Sequence, residues 1–360
     1  MGVQRIGIVG VGNISGIYLK NLTGMFGKRI KVTAVTDLIH ERAAKANADY
    51  GIPHILKTSD LINSPDVDII LNITQPPDHY GVALEAVTAG KHVYDEKPLC
   101  AKREEAEEVL KVAAANKVRV GGAPDTFLGA GIQTCRKLLD DGWIGQPVAA
   151  TAFMANHGHE HWHPGPAFYY KKGGGPMFDM GPYYLTALVS LLGPVVRVSG
   201  SAKQSFQSRT ITSEPLNGTV IDVEVPTHIA GVLDFASGAV GTVITSFDVY
   251  SHTLPFIEIY GSEGTLRVPD PNTFGGPVYV KRYRAENWSE IPLLRNFPEN
   301  SRGLGITDMA EAVSEGRPHR ASAEMTYHVL DVMHGIHDAS ASGIYYQVKS
   351  TCERPAPLNS

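Results

Sequence analysis

The first third of the chain alternates short apolar runs with helical patterns. Residues 4–9, Gln-Arg-Ile-Gly-Ile-Val, and 30–36, Ile-Lys-Val-Thr-Ala-Val-Thr, predict strands, the second on its β-branched content. Residues 67–73, 92–94 and 119–122 predict three more. Between them, residues 14–22, 40–50, 77–89 and 102–116 carry apolar positions at helical spacing or runs of Ala, Glu and Lys, and predict helices. The 77–89 helix opens on Pro77 and stops before Gly90, so both boundary signals agree. Strands alternating with helices predict a parallel sheet covered on both faces.

The alternation stops near Pro124. A helix is predicted over 132–141, and beyond it strand patterns dominate. Residues 148–154, 195–201, 220–225, 227–235, 239–249, 256–260, 264–268 and 278–282 are rich in Val, Ile, Thr and aromatics. Ser237-Gly238 and Ser262-Glu263-Gly264 mark hairpin turns. Helical patterns return at 181–192, 305–315 and 324–340. The expected fold class is α/β: a doubly wound parallel-sheet domain over 1–124, then an α+β domain over 125–360 with a large, mainly antiparallel open sheet. The last helix is free to pack back on the first domain.

Charge narrows the partners. Asp and Glu number 37 against 32 Lys and Arg, giving a net charge of −5. With no basic run, nothing favours nucleic acid. No apolar stretch approaches the ~20 residues of a membrane span, and the first strand begins too early to leave room for a signal peptide. Cys100, Cys135 and Cys352 are far apart, odd in number and without a C-x-x-C pair. That pattern argues against a disulfide framework or zinc site and fits a reducing cytoplasm. A small-molecule ligand remains open.

Gly10-Val11-Gly12-Asn13-Ile14-Ser15 lies between the first strand and the first helix. Gly10 permits the tight turn, and Gly12 lets the backbone approach a pyrophosphate at the helix N-terminus, where free N–H groups and the dipole favour an anion. The third glycine position is Ser15, still small, followed by Gly16. Such a turn is weak evidence alone, but it has the strand–turn–helix context that the chemistry requires. Asp37 ends the second strand. A carboxylate there accepts the ribose hydroxyls of an adenosine and repels a 2′-phosphate, and no Arg stands at 38 or 39, so NAD (NAD+/NADH) is favoured over NADP. A competing reading makes Asp37 the N-cap of the next helix.

Ligands of open parallel sheets bind beyond the carboxyl ends of the strands. Three such ends stand out: Ile73-Thr74-Gln75-Pro76-Pro77, Asp95-Glu96-Lys97-Pro98 and Pro124-Asp125. The candidate cofactor contacts are Gly10, Gly12, Asn13, Ile14, Asp37, Thr74, Pro76, His79, Glu96 and Lys97. Lys97, near a cationic nicotinamide, would have a lowered pKa and could polarise or deprotonate a substrate hydroxyl. Its competing reading is a solvated surface charge, against which Pro98 fixes the chain at that point.

The Gly10–Ser15 turn, Glu96-Lys97-Pro98, Gly173-Gly174-Gly175-Pro176-Met177-Phe178-Asp179-Met180-Gly181 and the turn Tyr260-Gly261-Ser262-Glu263-Gly264-Thr265 together resemble the glucose–fructose oxidoreductase / inositol dehydrogenase (Gfo/Idh/MocA) family. The resemblance spans most of the chain. It implies a Rossmann domain followed by an α/β domain whose open sheet often forms the oligomer interface, hence a homodimer or homotetramer. It also implies reversible oxidation of a secondary alcohol on a sugar, polyol or related compound. It gives Lys97 contacts with both cofactor and substrate, and it matches Asp179 to the family's Asp. The family's acid/base His, four residues after that Asp, is replaced by Tyr183. A Tyr can serve only if positive charge lowers its pKa from about 10, and Tyr183 packed in the core is the competing reading.

His157-Gly158-His159-Glu160-His161-Trp162-His163-Pro164 carries four histidines in seven residues. In an extended segment the four would share one face. Three readings compete: a substrate loop with a base near neutral pH, a metal site, and a structural cluster packed on Trp162. The resemblance puts substrate contacts in this stretch and calls for no metal, and metal ligands normally come from several elements. The candidate substrate contacts are therefore Lys97, Asp125, His157, His159, His161, Trp162, His163, Asp179 and Tyr183. The catalytic candidates are Lys97, Asp179 and Tyr183, with a histidine of 157–163 as alternative base.

The leading expectation is an NAD-dependent sugar or polyol dehydrogenase, cytoplasmic and homo-oligomeric. The alternative is an NAD-dependent glycoside hydrolase or lyase working through transient C3 oxidation, elimination and water addition, which some members of the family perform. A non-catalytic NAD-binding sensor is the third, and the intact Lys97 and Asp179 argue against it.

Overall fold

A computed structural model describes residues 3–358. The chain divides into two compact units. One runs through Leu128 and takes up Glu299–Leu330; the other comprises Gly129–Pro298 and the chain from Asp331 onward. The boundary expected at 124 thus lies slightly later, and 299–330 groups with the first unit instead of the second. The reason is local. Ser322 bridges to Gly121, and the Asp125 carboxylate accepts the N–H groups of Gly303 and Gly305.

In the first unit the elements run β1 (Gln4–Val9), α1 (Ser15–Thr23), β2 (Ile30–Thr36), α2 (His40–Tyr50), β3 (His54–Ile55), α3 (Thr58–Ile62), β4 (Ile69–Asn72), α4 (His79–Thr88), β5 (His92–Asp95), α5 (Arg103–Asn116) and β6 (Val120–Gly122). The described strands form one parallel sheet of order β3-β2-β1-β4-β5-β6. The order reverses between β1 and β4, which opens a crevice above their carboxyl ends. Ile6, Ile8, Ile69, Ile70, Leu71 and Val93 are fully buried, as expected for strands covered on both faces. The two-residue β3 and the one-turn α3 are too short to leave a periodic signal in the sequence. α4 begins at His79 because Pro76–Asp78 forms a separate 3-10 turn.

The second unit contains α6 (Ala130–Asp140), β7 (Pro147–Ala155), α7 (Pro176–Asp179), α8 (Gly181–Leu192), β8 (Val195–Lys203), β9 (Ser208–Thr210), β10 (Val220–Asp222), β11 (His228–Phe235), β12 (Val240–Ser246), β13 (Ile257–Gly261), β14 (Gly264–Val268), β15 (Val278–Arg282) and β16 (Ser289–Ile291). The chain then adds α9 (Leu304–Glu315), α10 (Ala323–Ser342) and β17 (Tyr346–Gln347). Among the described residues, nine strands form a sheet of order β16-β15-β14-β13-β7-β12-β11-β8-β17, antiparallel at every pairing except β12 with β7. Along β11 burial alternates strictly: Ile229, Leu233 and Phe235 lie in the core, while Val232 and Asp234 stay half-exposed. β9 and β10 pair apart from this sheet. No helix among the described residues is long and apolar enough to cross a membrane.

Candidate active site

In the first unit, a cavity of about 680 Å³ opens at the carboxyl ends of β1, β2 and β4. Gly10, Gly12, Asp37, Ile39, Arg42, Thr74 and Tyr80 are among its lining residues. Gly10 has φ +91°, and a Cβ there would lie 2.9 Å from the Ile73 carbonyl oxygen, so only glycine fits. A Cβ on Gly12 would meet nothing within 4 Å. That open space at the mouth of α1 is where a ligand phosphate can approach the backbone. Ser15 closes the turn through its hydroxyl, which donates to the Gly12 carbonyl at 2.7 Å.

Asp37 sits at the rim. Its Oδ2 accepts the Val11 N–H at 2.6 Å and its Oδ1 the Ile39 N–H at 2.8 Å. The carboxylate therefore ties the end of β2 to the glycine turn and does not cap α2, whose N-cap Ile39 has no side-chain bond. A carboxylate oxygen can accept more than one hydrogen bond, so ribose hydroxyls can still bind. Cavity, open backbone and rim carboxylate together fit the adenosine and phosphates of a dinucleotide. Thr74 donates its hydroxyl to Asn72 Oδ1 at 2.7 Å, so its oxygen meets the cavity as an acceptor. Asn13 and Ile14 are exposed where α1 opens, and Pro76 lies in the 3-10 turn; none of the three is among the cavity residues.

Two expected contacts are placed differently. His79 is fully buried, with Nδ1 2.7 Å from the Pro98 carbonyl oxygen and Nε2 3.2 Å from that of Thr74. Its ring braces the turns after β4 and β5 from beneath, and burial lowers its pKa. Asp125, expected against substrate, is buried and receives the Gly303 and Gly305 N–H groups, each at 2.9 Å, at the start of α9. Burial pushes its carboxyl up to about 6. The reason is the same in both cases: a polar group with no solvent must be met by local backbone partners.

Lys97 is half-exposed, and the Lys97–Pro98 peptide is cis. The segment is held by Glu96, whose Oε1 accepts the Tyr18 hydroxyl at 2.7 Å and whose Oε2 accepts the Lys97 N–H at 3.0 Å. Asp95 beneath is fully buried, bonded by Asn72 Nδ2 at 2.7 Å, and burial raises its pKa well above the carboxyl range.

In the second unit the histidine segment follows β7. His159 lies 3.2 Å through Nε2 from Asp179 Oδ2 at the end of α7. Its ring packs on Tyr169 at 4.0 Å, with Phe247 and Trp162 edge-on. His163 accepts the Gly165 N–H on Nδ1 at 3.0 Å, and burial, then the nearby His159, lower its pKa. His157 stacks on Tyr250 at 3.6 Å. His161 and Trp162 are exposed. Tyr183 is a buried residue of α8. The segment is anchored by Glu160. Burial alone would raise its pKa, but bonds from the Tyr170 hydroxyl and, at 2.6 Å, from Arg209 hold it below the ordinary range. Arg209 also pairs with Asp248.

The sequence reading missed several of these residues. Asn72 is a polar residue inside an apolar run, the one signal that could have marked it. Arg42 and Tyr80 carry only helical periodicity, and Arg209 lies too far from Glu160 in sequence to suggest a partner. No group of three or more potential metal ligands occurs among the described residues.

A family model described as an oxidoreductase family with an NAD-binding Rossmann fold matches residues 4–122. A second, described as the GFO/IDH/MocA C-terminal domain, matches residues 132–267. The chain is similar to inositol 2-dehydrogenase 3 of Saccharopolyspora erythraea, 28% identical over 304 residues, 79% of this chain and 80% of that protein. Among solved structures it is similar to an NAD binding oxidoreductase from Klebsiella pneumoniae, with TM-score 0.83, 22% identity and coverage of 96% of this chain and 99% of that one. It is also similar to levoglucosan dehydrogenase in complex with NADH and L-sorbose, with TM-score 0.82, 19% identity and the same coverage. At these identities the structural likeness shows the fold.

Proposed function

The chain belongs to the Gfo/Idh/MocA oxidoreductase family, and from that premise we propose that it is an NAD-dependent dehydrogenase interconverting a secondary alcohol and a ketone on a sugar, polyol or related compound. The observation that carries this reading is the cavity between the open Gly12 backbone and the Asp37 carboxylate. Bound there, NAD would supply the hydride acceptor or donor. Asp37 and the backbone amides of α1 hold the dinucleotide, and Asp37 disfavours a 2′-phosphate. Lys97 polarises the substrate oxygen as its charge changes. Asp179 orients the substrate hydroxyl, and Tyr183 or a histidine of the 157–163 segment handles its proton. Exposed Trp162, with the rings of His159 and His163 edge-on to it, offers an apolar face to a sugar ring.

The test is binding followed by turnover. Calorimetry on cofactor-stripped protein should give heat with NADH and less with NADPH, and a panel of polyols, sugars and glycosides should yield NADH with at least one. Absence of binding by either dinucleotide overturns the reading. Glycoside cleavage without net NADH would instead identify the family's hydrolytic chemistry. Light scattering tests the accompanying proposal of a homodimer or homotetramer through the larger sheet of the second unit.

A further inference from the structure

His159, on the segment after β7, faces Asp179 at the end of α7. We propose that His159 is the positioning residue for Asp179. The inference rests on the dehydrogenase reading for its effect on turnover, and on geometry alone for the pairing.

The pair is close and shielded. His159 Nε2 and Asp179 Oδ2 are 3.2 Å apart, with side chains only 9% and 14% exposed. Facing a carboxylate, Nε2 carries the proton and donates it. The other ring nitrogen, Nδ1, is buried and has no hydrogen-bond partner. The imidazole is therefore held in place for one polar bond, the one to Asp179.

The ring cannot easily turn away. Tyr169 covers one side, Phe247 and Trp162 meet it edge-on, and the His159 N–H donates to the Tyr170 hydroxyl at 3.3 Å. That hydroxyl donates in turn to Glu160, which is paired with Arg209. A buried ion pair thus fixes the loop at the residue next to His159. The other three histidines are engaged elsewhere: His157 on Tyr250, His163 on the Gly165 N–H, and His161 at the exposed surface.

The bond does two things for Asp179. It fixes the plane of the carboxylate, and it favours the ionised form, which accepts a substrate hydroxyl's hydrogen bond. Among the described residues, His163 on the same segment interacts with both members of the pair, Tyr169 packs on the His159 ring, and Tyr170, Glu160 and Arg209 follow in a chain of bonds from the His159 N–H. The charge of Arg209 is taken up by Glu160 and Asp248.

The test compares His159→Phe with His159→Gln, which keeps a donor near the Nε2 position; His159→Leu is the second apolar variant if phenylalanine does not fit. Carboxyl NMR on protein labelled at aspartate, with Asp179→Asn to identify the resonance, reads the Asp179 titration without substrate. The midpoint should move up by about one pH unit in the apolar variant and return towards wild type in the glutamine variant. With a substrate in hand, the apolar variant should lose kcat on the order of 10²-fold with KM within about threefold, and the acid limb of its pH profile should move up. An Asp179 midpoint indifferent to His159, or equal loss in both variants with unmoved profiles, overturns the proposal. If no compound turns over, the dehydrogenase reading fails on its own, and the NMR titration still decides whether His159 governs Asp179.

Discussion

The Tyr18 hydroxyl donates to Glu96 Oε1 at 2.7 Å, so the helix that follows the glycine turn is bonded to the residue before Lys97. Tyr18 is fully buried, and the same carboxylate receives the Lys97 N–H. One glutamate therefore ties the helix after the glycine turn to the lysine. Tyr18→Phe keeps the ring and removes this bond. It should cost about 1.5–3 kcal/mol, the usual worth of a hydrogen bond to a charged group, read by urea unfolding. NADH affinity should weaken with it.

Gly10 and Gly12 should respond in opposite ways to the same change. Gly10→Ala forces a left-handed residue against the Ile73 carbonyl. Such strain costs on the order of 1–3 kcal/mol, visible as a lower Tm in cofactor-free protein. Gly12→Ala meets nothing in the fold and should leave that Tm unchanged. Its methyl group instead occupies the approach of the phosphate, so NADH titration should show Kd raised at least about tenfold, ~1.4 kcal/mol.

Arg209→Leu should be among the most damaging single changes in the second unit. It leaves Glu160 and Asp248 buried without their cation, and breaking a buried pair from one side costs about 3–5 kcal/mol. Denaturant unfolding measures the loss. Loosening of the histidine segment should appear as faster amide exchange over residues 157–163 than in Tyr183→Phe.

Asp125 makes a pH prediction with a definite sign. Its folded carboxyl titrates at about 6, raised by burial, against about 3.9 unfolded. Between those values the folded state binds more protons, so this group's contribution to stability falls as pH rises from about 4 to about 6. Asp125→Asn retains an acceptor for Gly303 and Gly305 and should remove that slope from a series of denaturation curves. Asp125→Ala removes the acceptor as well and should cost about 1–2 kcal/mol at neutral pH, as losing a helix cap does.

The parallel sheet was legible because its strands are short apolar runs between helices with clear stop signals. The glycine turn and Asp37 stand out in the sequence because a phosphate site needs particular residues at fixed spacing, and the structure puts Gly10, Gly12 and Asp37 on the lining of one cavity. Asp125 misled for a physical reason: a carboxylate at a strand end can serve a substrate or a helix start, and the helix it serves lies 178 positions away. Likewise His79 has the residue type of a ligand contact but the burial of a brace. The histidine segment announced itself by composition, yet only folding separates His159, bonded to Asp179, from His161, exposed to water. A chain with period-two alternation would have put both on one face; the turn that follows β7 breaks that period.

The return of residues 299–330 to the first unit has a consequence for synthesis of the chain. Gly121 and Gly122 of β6 wait for Ala321 and Ser322, and Asp125 waits for the start of α9. A ribosome must therefore make the intervening segment before the nucleotide-binding half has its last edge covered. A truncated product ending near residue 128 should leave that edge bare and be a substrate for chaperones, while a fragment fused directly to 299–330 should be markedly easier to keep in solution.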